Sequence, residues 1–141
     1  MTDARFDADD LVKRAWQARD GAYAPYSRFR VGAALATDAG VFTGANVENA
    51  AYPTGVCAER VAGGTAVAAG ARRFLALAVV AGTADPITPC GQCRQFLREF
   101  GRDMAVVAEA PDGTRREWLL AHLLPDSFGP EVLEEAPPDA R

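Results

Sequence analysis

Apolar side chains at Leu11, Ala15, Trp16 and Ala22, with Lys13, Arg14 and Asp20 outside the stripe, have the spacing of an amphipathic helix. Asp9 or Asp10 can cap it, residues 1–8 read as a frayed lead, and Pro25 closes it. Phe29, Val31, Ala33 and Leu35 then alternate, which predicts a strand, and the turn Thr37-Asp38-Ala39-Gly40 returns the chain into a second strand over 41–46. The Ala- and Val-rich stretch 57–70 predicts a helix. FLALAVVA at 74–81 is continuously apolar, as a central strand covered on both faces should be. A helix over 90–100 is stopped by Gly101, a strand follows over 104–108, and the Pro111-Asp112-Gly113 turn leads into a short antiparallel strand over 114–117. A helical pattern resumes over 118–124, and the acidic, Pro-containing end reads as a loosely held tail.

Strand, helix, strand, helix, strand over 41–108 implies parallel crossovers with helices packed on a sheet. The expected class is α/β, three layers around a mixed five-stranded sheet. The expected division is one catalytic domain over 1–130 and a tail over 131–141.

Composition narrows the function. The chain has 141 residues, 49% of them apolar, enough for one core and little more. A net charge of −4 disfavours nucleic acid as a partner and favours a small free substrate. No apolar run is long enough for a membrane span, and MTDARFDADD is no signal peptide. Three cysteines, an odd number, argue for thiols in a reducing compartment, so a cytoplasmic setting is expected.

All three cysteines fall at helix beginnings: Cys57 opens one helix, Cys90 and Cys93 the next. Both helices follow strands expected to run parallel, so their amino ends should meet at one edge of the sheet, where α/β sites gather. Three thiolates with no obvious fourth protein ligand describe an open zinc site of the catalytic kind. Glu59, too close to Cys57 to chelate comfortably, can take the proton of a metal-activated water and pass protons to a substrate. Burial should raise its pKa. Arg60 shares a helical face with Cys57 and can offset the surplus negative charge of three thiolates. Taken singly these signals are weak. A lone C-x-x-C can be redox or structural, and a lone helix-opening cysteine is often a buried inert thiol. His122, the only histidine, reads as an ordinary packed or surface residue.

The combination of CAER at 57–60 with PCGQCRQ at 89–95 resembles the zinc-dependent nucleoside deaminases. Tyr26-Ser27-Arg28-Phe29 before VGAAL, NVENAAY over 46–52 and LLPDSF over 123–128 look like the small homotetrameric cytidine deaminases. The resemblance implies hydrolysis of cytidine and deoxycytidine to uridine and deoxyuridine with loss of ammonia, a pyrimidine-salvage reaction, using one zinc ion per subunit. It makes Cys57, Cys90 and Cys93 the zinc ligands, Glu59 the proton shuttle and Arg60 a partner of the sulfurs. It puts Phe29 on the pyrimidine, Asn46 and Glu48 on the ribose, and Ala58 among the substrate contacts. Ala50, Tyr52 and Phe128 fall where neighbouring subunits share a site.

The chain departs from the resemblance after CAER, where bulkier residues are usual and Val61-Ala62-Gly63-Gly64-Thr65-Ala66 stands here. Two glycines inside a helix cost about 1 kcal/mol each relative to alanine, so a close approach is expected there, with a neighbouring subunit as its source. The same small residues resemble blasticidin S deaminase, which keeps a related cytosine nucleoside as the alternative substrate. A base in nucleic acid and a non-enzymatic zinc or redox module are the other readings. The acidic charge disfavours the former, and the latter needs a fourth ligand that the chain does not offer.

Overall fold

A computed structural model describes residues 6–135, so residues 1–5 of the expected lead and 136–141 of the expected tail lie outside the described residues. Helix α1 (Ala8–Arg19) is capped by Asp7, whose carboxylate accepts from the amides of Asp9 at 2.9 Å and Asp10 at 3.4 Å. The cap therefore sits ahead of the expected Asp9 or Asp10, which instead place negative charge on the helix's positive end. Leu11, Val12 and Ala15 are buried. The helix stops at Arg19, so Ala22 is not part of its stripe.

Strands β1 (Val31–Thr37) and β2 (Gly40–Ala45) form the expected hairpin. Gly40 turns it at φ +115°, a conformation glycine accepts without strain. Then come a 3-10 turn at Tyr52–Thr54, α2 (Ala58–Ala68), β3 (Phe74–Ala81), α3 (Gly91–Gly101), β4 (Ala105–Glu109) and β5 (Arg115–Leu119). Two short helices follow, α4 (Leu120–Leu123) and α5 (Pro130–Glu135). Trp118 lies in β5, not in the helix expected from 118. Residues 131–135 of the expected tail are helical, with Pro130 at the start of α5, where its missing N–H costs nothing.

The sheet order is β2-β1-β3-β4-β5. Only β3 and β4 pair in parallel; β1 pairs antiparallel with both β2 and β3. The expected parallel crossover from β2 to β3 thus steps over β1, and the two strands point the same way without touching. That is sufficient for the site: α2 and α3 leave the sheet at the same edge.

The three layers follow from which residues face which side. Val31, Ala33, Leu35, Leu77, Val79, Val106 and Ala108 pack against Ala58, Ala62, Ala66 and Leu97 of α2 and α3. Ala34, Ala36, Ala76, Ala78, Val80 and Val107 pack on the other face against Leu11, Val12 and Ala15 of α1. Gly44 permits the close seat of α2, because a Cβ there would stand 2.5 Å from the Ala58 carbonyl oxygen. Among the described residues no helix is long and apolar enough to cross a membrane.

Candidate active site

Cys57 and Cys90 are the N-cap residues of α2 and α3, with extended backbones, and neither side chain makes a capping hydrogen bond. Their sulfurs are left for other work. Cys93 stands in the first turn of α3 and is fully buried. The three Sγ atoms lie within 4.8 Å of one another, and Cys57 and Cys90 are 3.9 Å apart. All three are free thiols. Two thiolates at the usual zinc–sulfur distance of about 2.3 Å in a tetrahedron stand about 3.8 Å apart, so the spacing fits zinc.

Gly63 explains how the helices come this close. A Cβ there would meet the Phe96 ring of α3 at 2.5 Å, so glycine makes the contact possible. The close approach expected at this glycine pair therefore comes, at Gly63, from the same chain. Gly64 is exposed, with open space where a side chain would be.

Electrostatics reinforces the cluster. Cys57 is lowered to about 5, first by a hydrogen bond from the Cys93 thiol, with Arg60 assisting against the opposing effect of burial. Cys93, the donor of that bond, is raised by it. Arg60 Nη2 lies 3.9 Å from Cys57 Sγ, and the buried Arg60 Nε has no hydrogen-bond partner. A guanidinium held against sulfur in this way suits a centre carrying excess negative charge.

Glu59, in the first turn of α2, is only 4% exposed. Burial, and next the nearby Cys57 charge, push its carboxyl above the usual glutamate range. A buried carboxylate raised in this way beside a three-thiol cluster is equipped to accept and return protons.

Beside the thiols opens a cavity lined by Asn46, Glu48 and Tyr52 as well as Cys57 and Arg60. The Asn46 amide is already engaged: Oδ1 accepts from Val31 N at 2.9 Å and Nδ2 donates to Phe29 O at 2.7 Å. Glu48 Oε1 accepts from the amides of Tyr26 and Ser27 at 3.0 Å each, and Oε2 accepts from the Ser27 hydroxyl. These bonds hold the Glu48 carboxyl below its usual range, the Ser27 hydroxyl contributing most. The segment itself is strapped by Val47, bridged to both Tyr23 and Val56.

Other expected site residues lie apart from this wall. Phe29 (43% exposed), Phe128 (56%) and Ala50 are surface residues that do not line the cavity. Ala58 is wholly buried in the core beneath α2. His122 falls in α4, away from the cluster. Sequence reasoning gave no role to Tyr26, Ser27, Asn49 or Gln92, all of which line the cavity. The signal for Gln92 was present, since it stands between two cysteines at a helix start. Arg94 was missed too: it donates to Pro89 O and Leu123 O at 2.7 Å and to Thr88 Oγ1 at 2.8 Å, fixing the loop ahead of Cys90.

A three-layer α/β sheet with three cysteines and a buried glutamate at two adjacent helix starts defines the class of zinc-dependent deaminases. The family model for the cytidine and deoxycytidylate deaminase zinc-binding region matches residues 7–109, and the chain belongs to that family. It is 46% identical over 132 residues to a cytidine deaminase of Sporosarcina psychrophila, covering 92% of this chain and 97% of the relative. A cytidine deaminase of Mycobacterium tuberculosis is 45% identical over 136 residues, covering 96% and 97%. A crystal structure of cytidine deaminase from Burkholderia pseudomallei superposes with a TM-score of 0.83 at 49% identity, over 87% of this chain and all of that one. The cofactor is zinc, on both the family match and the three-thiol geometry.

Proposed function

We propose that this chain deaminates cytidine and deoxycytidine hydrolytically, giving uridine or deoxyuridine and ammonia, as a step of pyrimidine salvage. The observation that carries the reading is a three-thiol cluster with buried Glu59 beside it, whose Cys57 lines a cavity walled by Asn46 and Glu48. Zinc held by Cys57, Cys90 and Cys93 supplies Lewis acidity that makes water a competent nucleophile near neutral pH. Glu59 accepts the proton of the water that attacks C4 of the pyrimidine and delivers a proton to N3. Glu59, again a carboxylate, then takes the proton of the new C4 hydroxyl and hands it to the amino group. The C4 carbonyl forms as the C4–N bond breaks and ammonia leaves. Water and cytidine are consumed, uridine and ammonia are formed, and Glu59 ends as it began. Arg60 holds the thiolates charged through its contact with Cys57. Glu48, braced by Tyr26 and Ser27, keeps an acceptor position for a sugar hydroxyl, and Asn46 braces the same wall, which favours a nucleoside over free cytosine.

Phe29 on the pyrimidine, Ala58 among the substrate contacts, and Ala50, Tyr52 and Phe128 at shared sites complete the proposal. The exposure of Phe29, Tyr52 and Phe128 in a single chain supports a homotetramer whose subunits finish one another's pockets. Exposed Gly64 lies on the surface available to such an assembly, and Gly64→Leu should shift it to smaller species by light scattering; an unchanged tetramer would count against that interface. We place the enzyme in the cytoplasm, where free thiols persist, with the catalytic domain ending near residue 130. The relatives compared above are named cytidine deaminases, which favours cytidine over blasticidin S. Loss of cytidine absorbance with equimolar ammonia on adding purified protein tests the reading, and blasticidin S turnover without cytidine turnover would replace it.

A further inference from the structure

We propose that Ser27 is a positioning residue that aims the Glu48 carboxylate into the cavity; this deepens the nucleoside-deaminase reading and rests on it. A carboxylate has about four acceptor positions, two on each oxygen. Glu48 Oε1 spends both on backbone amides, those of Tyr26 and Ser27, each at 3.0 Å. Oε2 spends one on the Ser27 hydroxyl. A single acceptor position remains, on Oε2, and its direction is set by where the hydroxyl sits.

The hydroxyl is itself oriented. Ser27 Oγ accepts from the Phe29 amide at 3.0 Å, so its own proton is turned toward Glu48. The chain can close this loop because Arg28, between them, takes the left-handed conformation at φ +59°. Phe29 N–H to Ser27 O–H to Glu48 Oε2 is therefore one directed relay. Ser27 and Glu48 both line the cavity, so the relay ends at the wall where a sugar hydroxyl would bind. Tyr26 N and Ser27 N keep their bonds to Oε1 when the hydroxyl is lost, so the loop stays tethered and only the aim of Oε2 is released.

Ser27→Ala, Ser27→Thr, Glu48→Ala and the Ser27→Ala/Glu48→Ala pair, all as zinc-loaded enzyme, test this. Ser27→Ala should raise KM for cytidine about tenfold, the order expected for one hydrogen bond to a charged group. Its kcat should stay within about twofold, with zinc content and Tm unchanged, and Ser27→Thr should restore KM. In the Glu48→Ala background, Ser27→Ala should add less than about twofold. An unchanged KM, a fully additive double variant, or kcat and zinc falling together with KM would each overturn the role. A crystal structure of Ser27→Ala gives a readout independent of activity: the Glu48 carboxylate should turn while Asn46 and Val47 stay in place. An unmoved carboxylate overturns the proposal. If the wild type fails to deaminate cytidine, the functional reading falls, while crystal structures of the wild type and of Ser27→Ala still decide for or against Ser27.

Discussion

At the scale of single residues, the centre works by pushing neighbouring groups in opposite directions. Glu59 is raised by burial and by the Cys57 charge, while Glu48 is lowered by the Ser27 hydroxyl and two backbone amides. Glu59→Gln removes the shuttle and spares the ligands, so zinc content should hold near one per chain while kcat falls roughly 10²- to 10⁴-fold. A fully active variant would refute that role. Glu48 has the opposite behaviour with pH. Its folded pKa is depressed, so its ionised form, and any grip on substrate that depends on it, is present above its ordinary value of 4.5. KM for cytidine should therefore stay flat from about pH 8 down to about pH 5, measured with zinc content followed in parallel, and rise only as the pH falls through that lowered pKa. The cysteines and Glu59 were legible in the sequence because their chemistry is local: thiols and a carboxylate at two helix starts. The second duty of Asn46 and Glu48, bracing the loop at 26–31, was not legible. Their partners lie 15 to 22 positions away, and only folding brings them within reach.

Among the elements, the contact between α2 and α3 decides whether three thiols can share one ion. Gly63 is the hinge of that contact, since Phe96 occupies the place of its missing Cβ. Gly63→Ala should improve helix propensity yet destabilise the fold by about 1 kcal/mol net, because overpacking outweighs propensity. It should also speed zinc release to a chelator; urea unfolding and chelator kinetics read the two effects. Strand β3 coincides with FLALAVVA because a two-sided apolar run has one interpretation. Strand β1 was harder, since its second face is made of Ala34 and Ala36, and alanine does not declare whether it faces core or solvent. Pairing direction was not written in the local pattern at all, so the antiparallel β1–β3 contact escaped it. The helix at 130–135 escaped for a related reason. It is anchored from afar by buried Arg98, which meets Glu131 and donates to Ser127 Oγ at 2.8 Å.

For the whole molecule, the C-terminal segment has the form of a strap that presents Phe128 outward. Gln95 Nε2 donates to Phe128 O at 2.9 Å, and Arg98 secures Ser127 and Glu131 on either side, leaving Phe128 more than half exposed. In the proposed tetramer that ring completes a neighbour's pocket. Phe128→Ala and Glu59→Gln subunits should each be impaired alone and regain activity when co-assembled, because a mixed pocket can draw Glu59 from one chain and Phe128 from another. No recovery would argue for self-contained sites. Zinc-dependent release of ammonia from cytidine is the property from which every residue role follows. Purified protein, assayed with its zinc content, should convert cytidine to uridine and ammonia in equal amounts, lose the activity to a chelator and regain it with zinc. Protein that holds its zinc and releases no ammonia, or that deaminates equally well without zinc, would contradict it.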